Sequence, residues 1–437
     1  MFRREHLEAR ATISRRQALT AGLTALGGLT ALGAYGASRA LGNPGSLDLA
    51  AAFSAAPTAK IPTPPAHGPL RTVKSNVVDQ SGRVVYLTGV SWFGMETGTF
   101  CPHGLWVRNW QQMLDQIALC GINSIRLPYS NQLFDAASTP NGIDFVKNPD
   151  LQGLTGLEIM DRVVRGAGQR GLRVILDRHR PDAAGQSPLW YTDHVSEERW
   201  IADWVMLAQR YRSEPSVIGA DLHNEPHSPA TWGDGKVTTD WRLAAERAGN
   251  AILQANPDWL IMVEGIDQYN GEGYWWGGNL MGARQFPVRL KHPDKLVYSA
   301  HDYGPGVWGQ SWFGASNFPR NLPPLWHAQW GYLVQEGIAP VWIGEFGGRS
   351  MGTDTEGVWQ RSLVTYLKEN HVSYAYWAWN PNSGDTGGIL EDDWQTVNRV
   401  KMDILSAYQW PLLGQPAAPV SQATAGVTPT AGVTCHP

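Results

Sequence analysis

Short apolar runs alternate with longer amphipathic segments between residues 70 and 412 of this 437-residue chain. Eight runs have the length of buried strands, and they occupy residues 84–94, 122–130, 173–180, 217–226, 260–265, 295–304, 340–347 and 373–381. Apolar residues recur at helical spacing between most of these runs, at residues 107–120, 155–170, 197–212, 240–255, 356–369 and 395–407. Alternating strands and helices predict a parallel sheet, and eight units predict an α/β fold of the (β/α)8 (TIM) barrel type in one domain. A doubly wound sheet is the alternative, although no glycine-rich phosphate-binding motif follows any strand.

In a barrel of this kind, functional residues lie at the C-terminal ends of the strands. Polar and aromatic side chains occupy those positions in this chain, namely Trp92, Arg126, Asp177, Arg178, His179, Asn224, Glu225, Glu264, His301, Tyr303, Glu345, Trp377 and Trp379. Glu225 and Glu345 stand out because each ends an apolar run, where an ionised carboxylate is costly unless it is paired or used. Two facing carboxylates are what glycosidic bond cleavage requires. The alternative is two unrelated glutamates held in salt bridges.

Several sequence motifs in and after these runs share one resemblance. They are IRLPYS, ILDRHRPD, HNEP, SAHDY, GEFG and YWAWNPNSGDTGGIL. Over residues 70–412 the chain resembles glycoside hydrolase family 5, the retaining β-glycanases of clan A, and within it the bacterial secreted endo-β-1,4-glucanases. The resemblance implies that Glu225 is the general acid/base and Glu345 the nucleophile, with carboxyl groups ~5–5.5 Å apart.

The resemblance also implies supporting roles around the two glutamates. Arg126 would hold the charge of Glu345, and Tyr303 would hydrogen-bond the same carboxylate. Asn224 would contact the 2-hydroxyl of the sugar that is cleaved. The walls and stacking platforms of the sugar site would be His179, His301, Trp377, Trp92 and Trp276.

Four acidic residues near these motifs are less clearly assigned. Asp177 and Asp221 alternate inward with His179 and His223, so they are interpreted as supports of the site. Asp385 is a candidate for binding a sugar hydroxyl, and Glu264 is interpreted only as a brace for its neighbours. Relatives often carry cysteines after RPD and after NEP, where this chain has Ala183 and SPATWGDG, so bracing of these loops by disulfides is in doubt.

Composition restricts the possible partners. A net charge of −4 and a pI near 6.3 give no electrostatic basis for binding nucleic acid. Three cysteines without CxxC spacing exclude a disulfide framework, and a bridge between Cys101 and Cys120 is left open. The 21 tryptophans suit stacking on sugar faces, although core packing explains most of them. No metal and no cofactor are expected, and the expected partner is a β-glucan.

The chain ends have a different composition from residues 70–412. Arg15-Arg16 precede a mildly apolar, uncharged stretch, which predicts a twin-arginine signal peptide over residues 1–40, with an uncleaved membrane anchor as the alternative. Residues 41–69 form an Ala/Pro-rich linker, and residues 413–437 a Pro/Thr/Ala-rich tail that is predicted to be disordered. The sequence therefore predicts a secreted monomer without stable membrane association after signal cleavage.

Four functions are compatible with the sequence. The leading hypothesis is a secreted retaining endo-β-1,4-glucanase that acts on cellulose or a related β-glucan. The same fold and mechanism could act on mannan, xyloglucan, mixed-linkage or β-1,3-glucan. A metal-dependent hydrolase would use Asp221, His223, Glu225 and His227 together with His179 or His301. The last alternative is a sugar-binding protein without activity.

Overall fold

Eight parallel strands form a closed barrel in the computed structural model, which describes residues 68–412. The strands are β1 Thr88–Ser91, β2 Ser124–Ser130, β3 Arg173–Arg180, β4 Val217–Asp221, β5 Leu260–Glu264, β6 Leu296–His301, β7 Val341–Phe346 and β8 Ser373–Tyr376. Each strand pairs with its neighbours in the chain, and β8 pairs with β1 to close the sheet. The predicted barrel is confirmed, and the doubly wound alternative is wrong.

Helices surround the barrel. They are α1 Trp110–Leu119, α2 Gly156–Gln169, α3 Glu197–Arg210, α4 Trp241–Ala255, α5 Leu322–Trp326, α6 Tyr332–Gln335, α7 Thr355–Glu369 and α8 Arg399–Ser406. All six helices predicted from the sequence are present. The structure adds α5 and α6, which a π-helical turn at His327–Gly331 joins. Between β5 and β6 it has a short antiparallel hairpin of Gln268–Tyr269 and Glu272–Gly273 and two 3-10 turns, at Met281–Arg284 and Pro293–Lys295.

Polar side chains fix where the long helices begin. Asn109, Thr155, Ser196, Asp240, Asp354 and Asn398 each accept a hydrogen bond from a backbone N–H of the first turn of α1, α2, α3, α4, α7 and α8. Such caps satisfy N–H groups that have no partner inside the helix. At α2 the cap is reciprocal, because the Glu158 side chain accepts the N–H of Thr155.

The N-terminal end of the barrel is filled by apolar side chains. A hairpin of Arg71–Val73 and Asn76–Val78 precedes the barrel. Leu70 and Val77 pack there with inward-facing residues of the strands, in a cluster that we call the lower core. Its members are Leu70, Val77, Val85, Leu87, Ile175, Ile218, Leu260, Met262, Val297, Trp342 and Ala375. This end of the barrel therefore contributes to stability.

The C-terminal end of the barrel buries polar groups instead. The ladder between β6 and β7 is irregular at Ala300/His301, and the ladder between β7 and β8 is irregular between Ile343 and Phe346. Such irregularities redirect side chains at the rims of barrels. They occur where His301 and Glu345 face the barrel opening, so the rim of β6 and β7 is shaped for the site.

Two other features of the described residues bear on the sequence predictions. No helix within residues 68–412 has the length and apolar character needed to cross a membrane. Cys101 and Cys120 are both free, so they do not form the bridge that the sequence left open. The predicted signal peptide, the linker up to residue 67 and the C-terminal tail lie outside the described residues.

Candidate active site

Glu345 lies on β7 and is almost completely buried. Its Oε1 accepts a hydrogen bond from Nη1 of Arg126 at 2.6 Å, and its Oε2 accepts one from the Tyr303 hydroxyl at 2.5 Å. His179 Nδ1 lies 3.8 Å from Oε1 and His301 Nδ1 lies 3.7 Å from Oε2. Two strong donors therefore hold the carboxylate in one orientation, as a nucleophile requires.

Arg126 on β2 is the centre of the charge network. Its fully buried guanidinium contacts four carboxylates, which we call the carboxylate cluster: Asp177 at 3.1 Å, Asp221 at 2.9 Å, Glu264 at 3.4 Å and Glu345 at 2.6 Å. Burial alone would lower the pKa of Arg126, but the carboxylates outweigh burial and raise this pKa well above its usual range. Arg126 therefore stays charged and keeps the cluster from being a set of uncompensated negative charges.

Asp177 and Asp221 support the site from below, as the sequence predicted. Each carboxylate contacts Arg126, and Asp177 Oδ2 also lies 2.7 Å from His179 Nδ1. Burial raises the pKa of each of these two carboxyl groups to about 6, and Arg126 opposes the rise. Their positions fix the guanidinium and the imidazole that face Glu345.

Glu225 does not end a strand, which corrects the sequence prediction. Strand β4 ends at Asp221, and Glu225 lies in the following loop with a left-handed φ of 53°. This conformation is uncommon for a residue with a side chain, and such outliers concentrate at functional sites. Glu225 Oε1 lies 3.3 Å from His301 Nδ1, and Oε2 accepts a hydrogen bond from Gln186 Nε2 at 2.8 Å.

The two glutamates converge although 120 positions separate them in the chain. One carboxylate oxygen of Glu225 and one of Glu345 lie within 4.8 Å of each other. An approach of two oxygens this close is compatible with the ~5–5.5 Å between carboxyl groups of retaining glycosidases, whereas inverting ones keep ~6.5–9.5 Å between theirs. The geometry therefore favours attack by one carboxylate over attack by a water molecule between them.

Glu264 on β5 braces its neighbours, as interpreted from the sequence, although it is not among the predicted site residues. Its Oε2 accepts the backbone N–H of Glu225 at 2.7 Å, and its Oε1 lies 3.2 Å from His301 Nε2. Gly277 makes this contact possible, because a Cβ at that position would lie 2.3 Å from Glu264 Oε2. Glu264 thus joins the backbone of Glu225 to His301 and Arg126. The sequence did not indicate which groups this glutamate contacts.

The two histidines carry different charges. Burial lowers the pKa of His179 to about 3, so its ring is neutral at working pH. Burial alone would also lower the pKa of His301, but Glu264 and Glu345 outweigh it and raise this pKa well above its usual range. Gly344 allows the charged ring to approach β7, since a Cβ there would lie 2.9 Å from His301 Nε2. A positive charge therefore sits between Glu225, Glu264 and Glu345.

Asn224 is positioned by Arg126. Its side-chain oxygen accepts a hydrogen bond from Arg126 Nη2 at 2.8 Å. Among the described residues its Nδ2 has no hydrogen-bond partner although it is buried. A preoriented amide with a free donor fits the predicted contact with a sugar hydroxyl.

Aromatic rings line the cleft on the side of β1, β3 and β8. The Trp377 ring stacks on His179, with centroids 5.1 Å apart, and on Phe93, with centroids 5.3 Å apart. Its indole N–H donates to Ser383 Oγ at 3.2 Å, and Ser383 in turn donates to Asp385 Oδ1 at 3.1 Å. The structure thus places the half-buried Trp377 against His179, which itself lies near Glu345, and the sugar platform stays a prediction. Asp385 contacts the serine that orients this ring.

Trp92 is not a stacking platform, which corrects the sequence prediction. Its ring is fully buried, and its indole N–H donates to the carbonyl of His103 at 3.0 Å. A tryptophan at a strand end can point into the core or into the cleft, and the sequence pattern does not distinguish the two. Phe93, the next residue, supplies the ring that stacks on Trp377.

Trp276 fits its predicted position on the other side of the cleft. Its ring is 38% exposed and stacks on His227, with centroids 3.8 Å apart. His227 in turn contacts the carbonyl of Glu225 through Nδ1 at 2.7 Å. Its neighbour Trp275 is buried, so Trp276 is the ring of this pair that can stack on a sugar.

The metal-ligand set considered from the sequence does not form one site. Asp221 binds Arg126, and His223 Nδ1 lies 2.7 Å from Arg178 Nη1. Glu225, His301 and Glu345 do bring ligand atoms within 4.8 Å of one another. However, a metal ligand must be a neutral imidazole, whereas the pKa of His301 is raised and both ring nitrogens face carboxylates. The donor set suits proton chemistry better than metal binding.

A (β/α)8 barrel with two facing carboxylates at the C-terminal rim defines a glycoside hydrolase. The family model described as cellulase (glycosyl hydrolase family 5) matches residues 78–383. The chain belongs to glycosyl hydrolase family 5, which confirms the resemblance recognised in the sequence.

Proteins with endoglucanase names are among its relatives. The chain is 55% identical over 350 residues to an endoglucanase from Paenibacillus polymyxa, an alignment that covers 79% of this chain and 88% of the relative. It is 46% identical over 336 residues to the major extracellular endoglucanase of Xanthomonas campestris, covering 75% and 69% of the two chains.

Solved structures agree with the computed fold. The catalytic domain of the Xanthomonas campestris endoglucanase superimposes with a TM-score of 0.74 at 44% identity, covering 79% of this chain and 100% of that one. A cellotetraose complex of an endocellulase from Pyrococcus horikoshii also gives a TM-score of 0.74 at 44% identity, covering 79% and 99%. The barrel and the family are therefore supported by both sequence and structure.

Proposed function

We propose that the protein is a retaining endo-β-1,4-glucanase in which Glu225 is the general acid/base and Glu345 the nucleophile. The observation that carries this proposal is the close approach of the two carboxylates, within 4.8 Å, at the C-terminal rim of the barrel. The substrate class is supported by relatives that are named endoglucanases and by an endocellulase structure that contains cellotetraose.

The first half-reaction cleaves the glycosidic bond. Glu225 donates its proton to the glycosidic oxygen while a carboxylate oxygen of Glu345 attacks the anomeric carbon. The bond between that carbon and the leaving oxygen breaks, and a glycosyl ester on Glu345 forms. Tyr303 and Arg126 each donate a hydrogen bond to Glu345, so they hold its two oxygens in place before the attack.

The second half-reaction restores the enzyme. Glu225, now a carboxylate, takes a proton from a water molecule, whose oxygen attacks the anomeric carbon and releases Glu345. Asn224 would bind the 2-hydroxyl of the reacting sugar through its free Nδ2, an interaction that strengthens in the transition state. Trp377 would pack against the same sugar, and Trp276 would stack on the leaving sugar beside Glu225.

A substrate panel with product stereochemistry tests this function. Carboxymethylcellulose, mannan, xylan, xyloglucan and laminarin would be compared, and NMR would identify the anomer released first. We expect the highest kcat/KM on the β-1,4-glucan and the β-anomer as the first product. A first product with α-configuration would refute the retaining mechanism, and preference for another polysaccharide would refute the substrate assignment.

The proposal includes export of a monomer by the twin-arginine route. The support is the Arg15-Arg16 pair in front of a mildly apolar stretch, together with a relative named as extracellular. Replacing both arginines by lysine should keep activity inside the cells and remove it from the medium, whereas a single Arg10→Lys change should leave secretion as it is. Secretion of the double variant at the normal level would contradict the route. Size-exclusion chromatography tests the monomer.

A further inference from the structure

The segment between β3 and α3 contributes a side chain to the candidate acid/base. Gln186 Nε2 donates a hydrogen bond to Glu225 Oε2 at 2.8 Å. The other oxygen of Glu225 faces His301 Nδ1 at 3.3 Å. Both oxygens of one carboxylate thus have a nitrogen donor, and only one of the two donors belongs to the barrel strands.

The Gln186 segment is fixed to the barrel on both sides of this residue. Before it, the N–H of Ala183 donates to Gln132 Oε1 at 2.8 Å, and Asp182 pairs with Gly185 in a short antiparallel bridge. After it, the carbonyl of Pro188 accepts the N–H of His227 at 3.3 Å. Because its ends are tied to neighbouring loops, the segment presents the Gln186 amide to Glu225 without large rearrangement.

A primary amide can form a hydrogen bond to a carboxyl group in both its ionised and its protonated form. Its nitrogen donates to a carboxylate, and after rotation about the last side-chain bond its oxygen accepts from the protonated acid. The charged His301 ring can only donate, so it complements the carboxylate alone. Glu225 alternates between the two forms in the two half-reactions, and the Gln186 amide can bond to each of them.

We propose that Gln186 is a positioning residue that holds Glu225 in both protonation states, by donating to the carboxylate and accepting from the acid. The inference rests on the acid/base role proposed for Glu225. The amide does not gain or lose a proton in either half-reaction, since it only rotates as Glu225 loses and regains its own.

The proposal predicts a change in the pH dependence of kcat/KM. A hydrogen bond to an ionised acceptor is about twice as strong as one between neutral groups, so Gln186 favours the carboxylate form of Glu225 on balance. Removing the amide therefore lets Glu225 keep its proton to higher pH. Other charged or titratable groups around Glu225 also affect its protonation, namely His301, Glu264, Glu345, Asp177, Arg126 and His227.

The test compares three substitutions at Gln186. Gln186→Met keeps the length of the side chain and removes the amide, so the basic limb of kcat/KM should move up by about 0.5 pH unit and kcat should fall about tenfold. Gln186→Glu places a like charge beside Glu225 and should move the limb further up. Gln186→Asn keeps an amide that is too short to reach, and it repeats the test if the Met variant does not fold.

Two control variants separate the possible explanations. Gln209→Met makes the same chemical change at an exposed position near the end of α3, and it should leave the basic limb at its wild-type pH. Glu225→Gln should remove the limb together with the activity, and turnover retained in that variant would show that the acid/base assignment itself is wrong. If Glu225→Gln is inactive but Gln186→Met leaves the limb within 0.1 pH unit of wild type, the role of Gln186 is refuted whatever happens to kcat.

Discussion

At its N-terminal end the barrel interior is apolar, whereas at its C-terminal end it holds a buried arginine, a charged histidine and several carboxylates. Strand β3 shows the change along one face, because Ile175, Asp177 and His179 alternate inward. Ile175 belongs to the lower core, Asp177 contacts Arg126, and His179 lies beside Glu345. The same backbone therefore supplies stability at one end and reactivity at the other.

The comparison shows that the two ends contribute differently to the free energy of folding. Apolar burial in the lower core is favourable in itself. The carboxylate cluster removes four carboxylates and Arg126 from water, and such burial is offset only while the ion pairs are intact. Substitutions at the two ends should consequently separate stability from catalysis.

The largest effect is expected for Glu345→Gln. The amide keeps the shape of the side chain but cannot act as a nucleophile, so kcat should fall on the order of 10⁴-fold or more. The melting temperature should be retained, because the substitution removes one of the clustered negative charges. Hydrolysis of a soluble β-1,4-glucan measures the first effect and calorimetry the second. Glu369→Gln, on the exposed end of α7, is the control and should leave both values unchanged.

Arg126→Met should damage both stability and catalysis. It leaves Asp177, Asp221, Glu264 and Glu345 without their shared cation, and breaking a buried ion pair costs about 3–5 kcal/mol. Denaturant unfolding measures this loss. A variant with wild-type unfolding free energy would contradict the view that Arg126 balances the cluster.

Ile175→Ala tests the N-terminal end of the barrel, on the same strand that carries His179 at the C-terminal end. The cavity in the lower core should cost about 2–5 kcal/mol of unfolding free energy, with kcat per folded molecule unchanged. His179→Ala is its partner and should lower kcat with a smaller loss of stability. Equal losses of kcat in the two variants would mean that the two ends are not separable.

The smallest effect concerns the pH dependence of stability. Burial raises the pKa of Glu264 to about 8, so the native state binds a proton that the unfolded chain has already lost above pH ~4.5. The raised pKa of His301 acts with the same sign above pH ~6.5. Below pH ~6.5 the lowered pKa of His179 acts with the opposite sign, so the unfolding free energy should fall as pH rises from 6.5 to 8, by at most ~1.4 kcal/mol per pH unit for each group.

Glu264→Gln should flatten that dependence. The amide does not titrate, so the proton that Glu264 holds in the native state no longer contributes to the slope. Unfolding by urea at pH 5, 6.5 and 8 would give the slopes for wild type, for this variant and for Glu369→Gln as an exposed control. A slope in Glu264→Gln as steep as in wild type would assign the pH dependence to other groups.

The sequence was sufficient for the barrel because its strands are buried on both faces. Such strands give continuous apolar runs, and all eight runs contain an observed strand. The predicted strand ends were less accurate than the predicted strands themselves. Strand β1 covers only Thr88–Ser91 of the run at 84–94, and β4 ends four residues before Glu225. Helices α5 and α6 were missed because each is short and a π-helical turn interrupts the pattern.

The candidate site was predictable where a residue lies in a recognisable motif. Arg126, His179, His301, Tyr303 and Trp377 all lie around the two glutamates. Glu264 and Gln186 belong to no such motif, and their contacts depend on loop conformations that local sequence does not determine. Trp92 was misassigned because a strand-end tryptophan has the same sequence pattern whether it is buried or exposed. The catalytic roles stay predictions.

Trapping of the covalent intermediate tests the central claim most directly. A 2-deoxy-2-fluoro-β-cellobiosyl fluoride slows both half-reactions and has a leaving group that needs no acid, so the glycosyl-enzyme should accumulate. Peptide mass spectrometry of the inactivated protein locates the label. Our account predicts one cellobiosyl group, on Glu345. A label on Glu225 or on another residue, or turnover without any covalent adduct, would contradict it.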